Sequence, residues 1–154
     1  WHKLPDPLAA KVPARKQIAS STRFNGGEGI WYHQGIIYFT TKGDNRVWAY
    51  DVRQNHLSIV YNAALYLQPV LTGVDNITAN AAGELLVAED GGDMQIVVLT
   101  AGQALPLLQV VGHDRSEITG PAFSPDGSRL YFSSQRGKTG NSGDGITFEI
   151  TGPF

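Results

Sequence analysis

Acidic residues at recurring places carry the chemistry that the spacing suggests. Glu28 stands seven residues before Gly35, Asn76, next to Asp75, stands seven before Gly83, and Glu117 stands three before Gly120. Brought to a common axis, Glu28, Asp75, Asn76 and Glu117 would offer three carboxylates and one amide oxygen. That set suits a hard cation such as Ca²⁺, which takes about six to eight oxygen ligands. The stretch Glu89-Asp90, followed by Gly91-Gly92-Asp93, offers further oxygens to a cation. The alternative is purely conformational: Asp, Asn and Gly are what tight turns select, and Glu28 and Glu117 would then be solvated.

Other chemistries find less support. The chain has no cysteine, which excludes disulfides, thiolate metal sites and a cysteine nucleophile but leaves the compartment open. His2, His33, His56 and His113 form no HExxH or paired-ligand motif, so zinc is disfavoured. His33 and His113 lie near the acids in sequence, either as acid–base groups or as surface residues. No serine occupies a GxSxG elbow. Gly137-Lys138-Thr139 lacks the upstream glycine and the following helix of a phosphate loop, and its surroundings read as a long hairpin loop. A formal charge of -2, with both signs interspersed, provides no positive field for nucleic acid or an anionic membrane. No apolar stretch approaches the roughly 20 residues of a membrane-spanning helix.

The elements that would position the acids are strands. With 18 Gly and 8 Pro but only 17% charged residues in 154, the composition favours short strands and many turns, hence an all-β fold. Residues 1–24, broken by Pro5, Pro7 and Pro13, read as an extended lead-in, and residues 25–154 as one domain. Gly35–Thr41, a Lys42-Gly43-Asp44-Asn45 turn and Arg46–Asp51 form a hairpin pattern. Gly83–Asp90, Gly91–Asp93 and Met94–Leu99 repeat it 49 residues later, and Pro125–Ser134 with Gly145–Ile150 gives a third copy. Turn glycines at 35, 83 and 127 are spaced like four-stranded propeller blades, about 40 to 50 residues each. A β-sandwich would accommodate the strands but not the fixed interval. We therefore expect about three four-stranded antiparallel blades of a β-propeller, closed by remaining blades or by a second copy, because closed propellers carry about four to eight.

Three stretches together, Phe24-Asn25-Gly26-Gly27-Glu28-Gly29, Gly73-Val74-Asp75-Asn76-Ile77 with Glu89-Asp90-Gly91, and Glu117-Ile118-Thr119-Gly120-Pro121-Ala122-Phe123-Ser124-Pro125-Asp126-Gly127, resemble the C-terminal part of the PhoX-like alkaline phosphatase family. The resemblance implies a secreted or periplasmic bacterial propeller that hydrolyses phosphate monoesters with Ca²⁺ and iron in its central channel. It marks Glu28 as a channel metal ligand and places Asp75, Asn76, Glu89, Asp90 and Glu117 at motif positions. Departures accompany it. Gly26 stands where that family has an arginine, the region of its cysteine iron ligand has no counterpart here, and Gln135-Arg136-Gly137 replaces Gln-His-Pro-Gly. Two other functions fit the residues: a non-catalytic propeller that binds a ligand or protein, and a lactonase-like calcium hydrolase.

Overall fold

Short apolar runs closed by turn residues become eleven strands in three antiparallel sheets in a computed structural model, which describes residues 1–154. The first sheet is β1 (Gly27–His33), β2 (Ile36–Thr41), β3 (Arg46–Asp51) and β4 (His56–Asn62), in that spatial order. The second repeats it with β5 (Val74–Ala79), β6 (Leu85–Glu89), β7 (Gln95–Thr100) and β8 (Gln103–Gln109). The third contains β9 (Ile118–Phe123), β10 (Arg129–Ser134) and β11 (Ile146–Thr151). Each strand pairs with the next in the chain, the meander of a propeller blade. The expectation of four strands per unit is corrected for the third blade, which has three, leaving β11 as its outer edge.

The middle blade explains the stacking. In β6 all five residues are buried, because both faces are covered. Leu85 and Val87 join a cluster with Val47 and Tyr61 of the first blade, while Leu86 and Ala88 join Ile118, Leu130 and Phe132 of the third. A strand covered on both faces has no solvent side to supply polar residues, which is why 85–88 reads as an unbroken apolar run. Each fully buried side chain of this size contributes roughly 1.5–3 kcal/mol.

The outer faces of the stack differ. On the first blade Phe24 packs edge-on against Phe39 and Trp48, at 4.9 and 5.4 Å between ring centroids. The Trp1 indole donates to the Tyr50 hydroxyl at 2.7 Å. Residues 1–24 contain one helical turn, Ala14–Gln17, and no strand. The free face of the third blade is polar, with Ser133 bonded to Thr147 at 2.9 Å and Arg129 facing Glu149 at 3.6 Å. No helix is long and apolar enough to cross a membrane.

Candidate functional site

Every inner strand is irregular beside its acidic residue. The β1–β2 register shifts between Gly27 and Ile30, around Glu28. The β5–β6 register shifts between Val74 and Ile77, around Asp75 and Asn76. In β9 the shift falls between Thr119 and Ala122, just after Glu117. A bulge leaves ladder groups unpaired and re-aims the side chains it carries. Glu28, Asp75 and Asn76 thus lie inside their strands rather than ahead of them.

Side chains of neighbouring blades satisfy the groups that the bulges release. The buried Thr40 hydroxyl accepts from the Gly29 amide at 2.9 Å and donates to the Asp75 carbonyl at 2.6 Å. Asn76 Oδ1 accepts from the Thr119 hydroxyl at 2.8 Å and the Gly120 amide at 2.6 Å, while its Nδ2 donates to Asp75 Oδ1 at 2.7 Å. Two side chains therefore stitch three bulged strands together. With both bonds made, Asn76 Oδ1 serves as a brace between β5 and β9, not as a ready cation ligand.

The ends of the second strands complete the same end of the stack. Lys42 follows β2, Asp90 follows β6, and Gln135-Arg136 follow β10. One carboxylate oxygen each from Asp75, Asp90 and Glu117 lies within 4.8 Å of the others. The Lys42 ammonium pairs with Asp90, and the Arg136 guanidinium reaches Glu117 at 3.0 Å and Asp90 at 3.8 Å. Arg136 is itself fixed, its amide donating to Ser116 Oγ at 2.8 Å. Ser116 continues through Ser134 to His113 by two further 2.8 Å bonds. His113 is buried in this chain, which corrects the surface alternative, and it meets the acidic group only through Ser134, Ser116 and Arg136.

The candidate residues thus divide. Asp75, Asp90 and Glu117 come together. Glu28 is exposed and stands outside that tight group, yet near enough that its charge acts on Asp75. Glu89 is only 1% exposed, and its two carboxylate oxygens accept from the Thr72 and Gln95 amides, each at 3.0 Å. Its expected place among channel ligands is corrected to a structural one, tying the segment before β5 to the start of β7. Burial still holds its carboxyl above the usual range, against the lowering effect of those amides.

Asp75 is also raised, first by burial and then by repulsion from Glu28 and Glu117, with Lys42 opposing. A folded-state value above the unfolded one means that the contribution to stability is present below about pH 4 and is lost as pH rises through the folded value. At neutral pH the ionised Asp75 opposes folding. Asp75→Asn is therefore expected to raise the melting temperature in chelator at pH 7, by about 2 °C, with the gap closing below about pH 4. Thermal melts at both pH values check this, and an unchanged or lower melting temperature at pH 7 contradicts it.

Crowded carboxylates with too little counter-charge match what a hard cation seeks, and three oxygens at this spacing fit an ion that prefers oxygen ligands. A concavity of about 320 Å³ lies at the other ends of the inner strands, lined in part by His33, Asn80, Ser124 and Asp126. Asn80, Ser124 and Asp126 are consumed by turns. Asp126 accepts from Ser124 and Ser128, which pull it down to about 2, and Asn80 bonds Glu84.

No family model and no curated protein sequence matches the chain. Its fold does match solved structures. A luciferin-regenerating enzyme aligns over 84% of this chain and 46% of its own, with 20% identity and a TM-score of 0.64. A streptogramin B lyase aligns over 87% and 43%, with 18% identity and a TM-score of 0.60. A putative gluconolactonase aligns over 74% and 38%, with 19% identity and a TM-score of 0.56. The chain has the fold of a partial β-propeller. It spans less than half the length of each of these three structures, and none of the three is a PhoX-like phosphatase.

Proposed function

We propose that this chain carries the cation centre of a propeller hydrolase that opens a lactone or carboxylic ester. The observation that carries the reading is the convergence of Asp75, Asp90 and Glu117 on one point at the end of the stack where the inner strands begin. The likeness to a putative gluconolactonase supports the substrate class. A bound Ca²⁺ would supply Lewis acidity toward a carbonyl oxygen. Asp75, Asp90 and Glu117 would hold it, the Thr40 and Asn76 bonds keep the bulged strands from spreading, and exposed Glu28 would accept a proton from the attacking water. Further walls of the site come from additional blades or from a second copy, which solution mass distinguishes.

Phosphate-monoester hydrolysis is the second reading, favoured by the stretch from Glu117 to Gly127. Much of that stretch has a structural duty, however. Thr119 and Gly120 hold Asn76, and Ser124 and Asp126 build the turn before β10. Only Glu117 contributes to the acidic group, so the likeness carries less chemistry than its length suggests.

The test compares glucono-δ-lactone with p-nitrophenyl phosphate as substrates, with Ca²⁺ and with chelator. Lactone opening that needs Ca²⁺ and falls at least about 100-fold in Glu28→Gln, with Ca²⁺ binding retained, is the expected result. Release of p-nitrophenol favours the second reading. Turnover of neither substrate, despite Ca²⁺ binding by calorimetry, leaves the centre to a non-catalytic binding propeller.

A further inference from the structure

Lys42 and Arg136 point to the chemical class of the ligand. Both reach the acidic group from neighbouring blades, and both pair with the same carboxylate, Asp90. Arg136 also pairs with Glu117. Their side chains are 37% and 35% exposed, and Arg136, whose backbone is held by Ser116 and whose guanidinium also meets Gln135 Oε1 at 2.6 Å and the Arg115 carbonyl at 3.3 Å, can exchange its carboxylate partners without disturbing the core. A divalent ion on Asp90 would compete with Lys42 and Arg136 for its two carboxylate oxygens. An ion of charge +2 held by Asp75, Asp90 and Glu117 would repel the ammonium and the guanidinium from their present partners.

Released in this way, two cations would stand beside a neutralised carboxylate group, with Glu28 nearby. Such a pair suits a carboxylate or phosphate, the guanidinium binding it in a planar fork and the ammonium as a point charge. Resting on the cation centre proposed above, we infer that Lys42 and Arg136 select a ligand with an anionic group and that they become available to it when the divalent cation binds. Cation and anion then bind cooperatively, each strengthening the other by the same factor.

Calorimetry on the full chain tests this, with Ca²⁺ as the cation and benzoate and phenylphosphonate as separate anionic probes. Saturating Ca²⁺ is expected to tighten binding of one probe at least about tenfold, and the probe that responds distinguishes carboxylate from phosphate chemistry. Lys42→Gln should bind Ca²⁺ about three- to tenfold more tightly, because a competing cation is gone, and should lose most of the coupling. Arg136→Gln should lose the coupling as well, with circular dichroism confirming the fold of each variant. Ca²⁺ binding with equal probe affinity in its presence and absence overturns the inference and leaves the cation centre standing. Unchanged Ca²⁺ affinity in Lys42→Gln has the same meaning. Failure of the wild-type chain to bind Ca²⁺ overturns the centre and, with it, the inference.

Discussion

Asp90→Asn is expected to weaken Ca²⁺ binding by about a hundredfold, because affinity for a hard cation follows the charge and number of its oxygen ligands. Asp90 is the carboxylate most heavily shared, facing Lys42 and Arg136 while lying within reach of Asp75 and Glu117. The substitution keeps the side chain's shape and removes one negative charge. The cost to the fold is small, since its ion pairs are partly exposed and such pairs contribute about 0–1 kcal/mol each. Loss of Ca²⁺ affinity without loss of melting temperature in chelator is the signature, read by calorimetry and thermal melts. Wild-type affinity in Asp90→Asn would remove Asp90 from the centre. A large fall in chelator melting temperature would instead make it a structural residue.

How far the sequence discloses this arrangement varies with the element. The hairpin repeat is plain because β2 with β3 and β6 with β7 each join two apolar runs across a short Gly- and Asp-containing turn, and β10 with β11 repeats the strands across a longer loop. Asp75 and Glu117 are visible because each stands where an inner strand begins, and Asp90 because it closes β6 beside the Gly91-Gly92 turn. Glu89 is not separable from Asp90 by type or position; what separates them is the alternation of a strand. Glu89 turns inward to the Thr72 and Gln95 amides, and Asp90, one residue on, turns outward.

Lys42 and Arg136 went unread for different reasons. Lys42 lies in a Lys-Gly-Asp-Asn turn that backbone geometry alone explains, and Asn45 does adopt the left-handed conformation there, at φ 50°. An interval of 48 residues, which sets Glu28 over Asn76, also places Lys42 over Asp90. Arg136 stands in a loop of the third repeat whose length has no counterpart in the other two. Its aim is set by Ser116, His113 and Ser134, distant residues whose convergence only the folded chain reveals.

Gly29→Ala is expected to cost about 3 kcal/mol, at the upper end of what overpacking does, and to lower the melting temperature by roughly 8 °C. The reason is backbone, not side chain. A Cβ on Gly29 would stand 2.6 Å from the Asp75 carbonyl oxygen and 2.8 Å from both Asn76 Cα and the Ile77 nitrogen. Nothing flexible is available to yield, so β1 and β5 would have to separate. That separation would stretch the two bonds through which Thr40 joins Gly29 to Asp75, and Asp75 would move with its strand. Stability and Ca²⁺ affinity should therefore fall together, unlike Asp90→Asn, where affinity falls alone. Gly73→Ala offers the parallel case, since a Cβ there would meet the Asp90 carbonyl oxygen at 2.5 Å on a backbone already at φ 57°. Urea denaturation with and without Ca²⁺ measures both effects. A Gly29→Ala protein of unchanged stability would mean that the first two blades do not approach this closely, and the carboxylates would lose the close packing that brings them to one point.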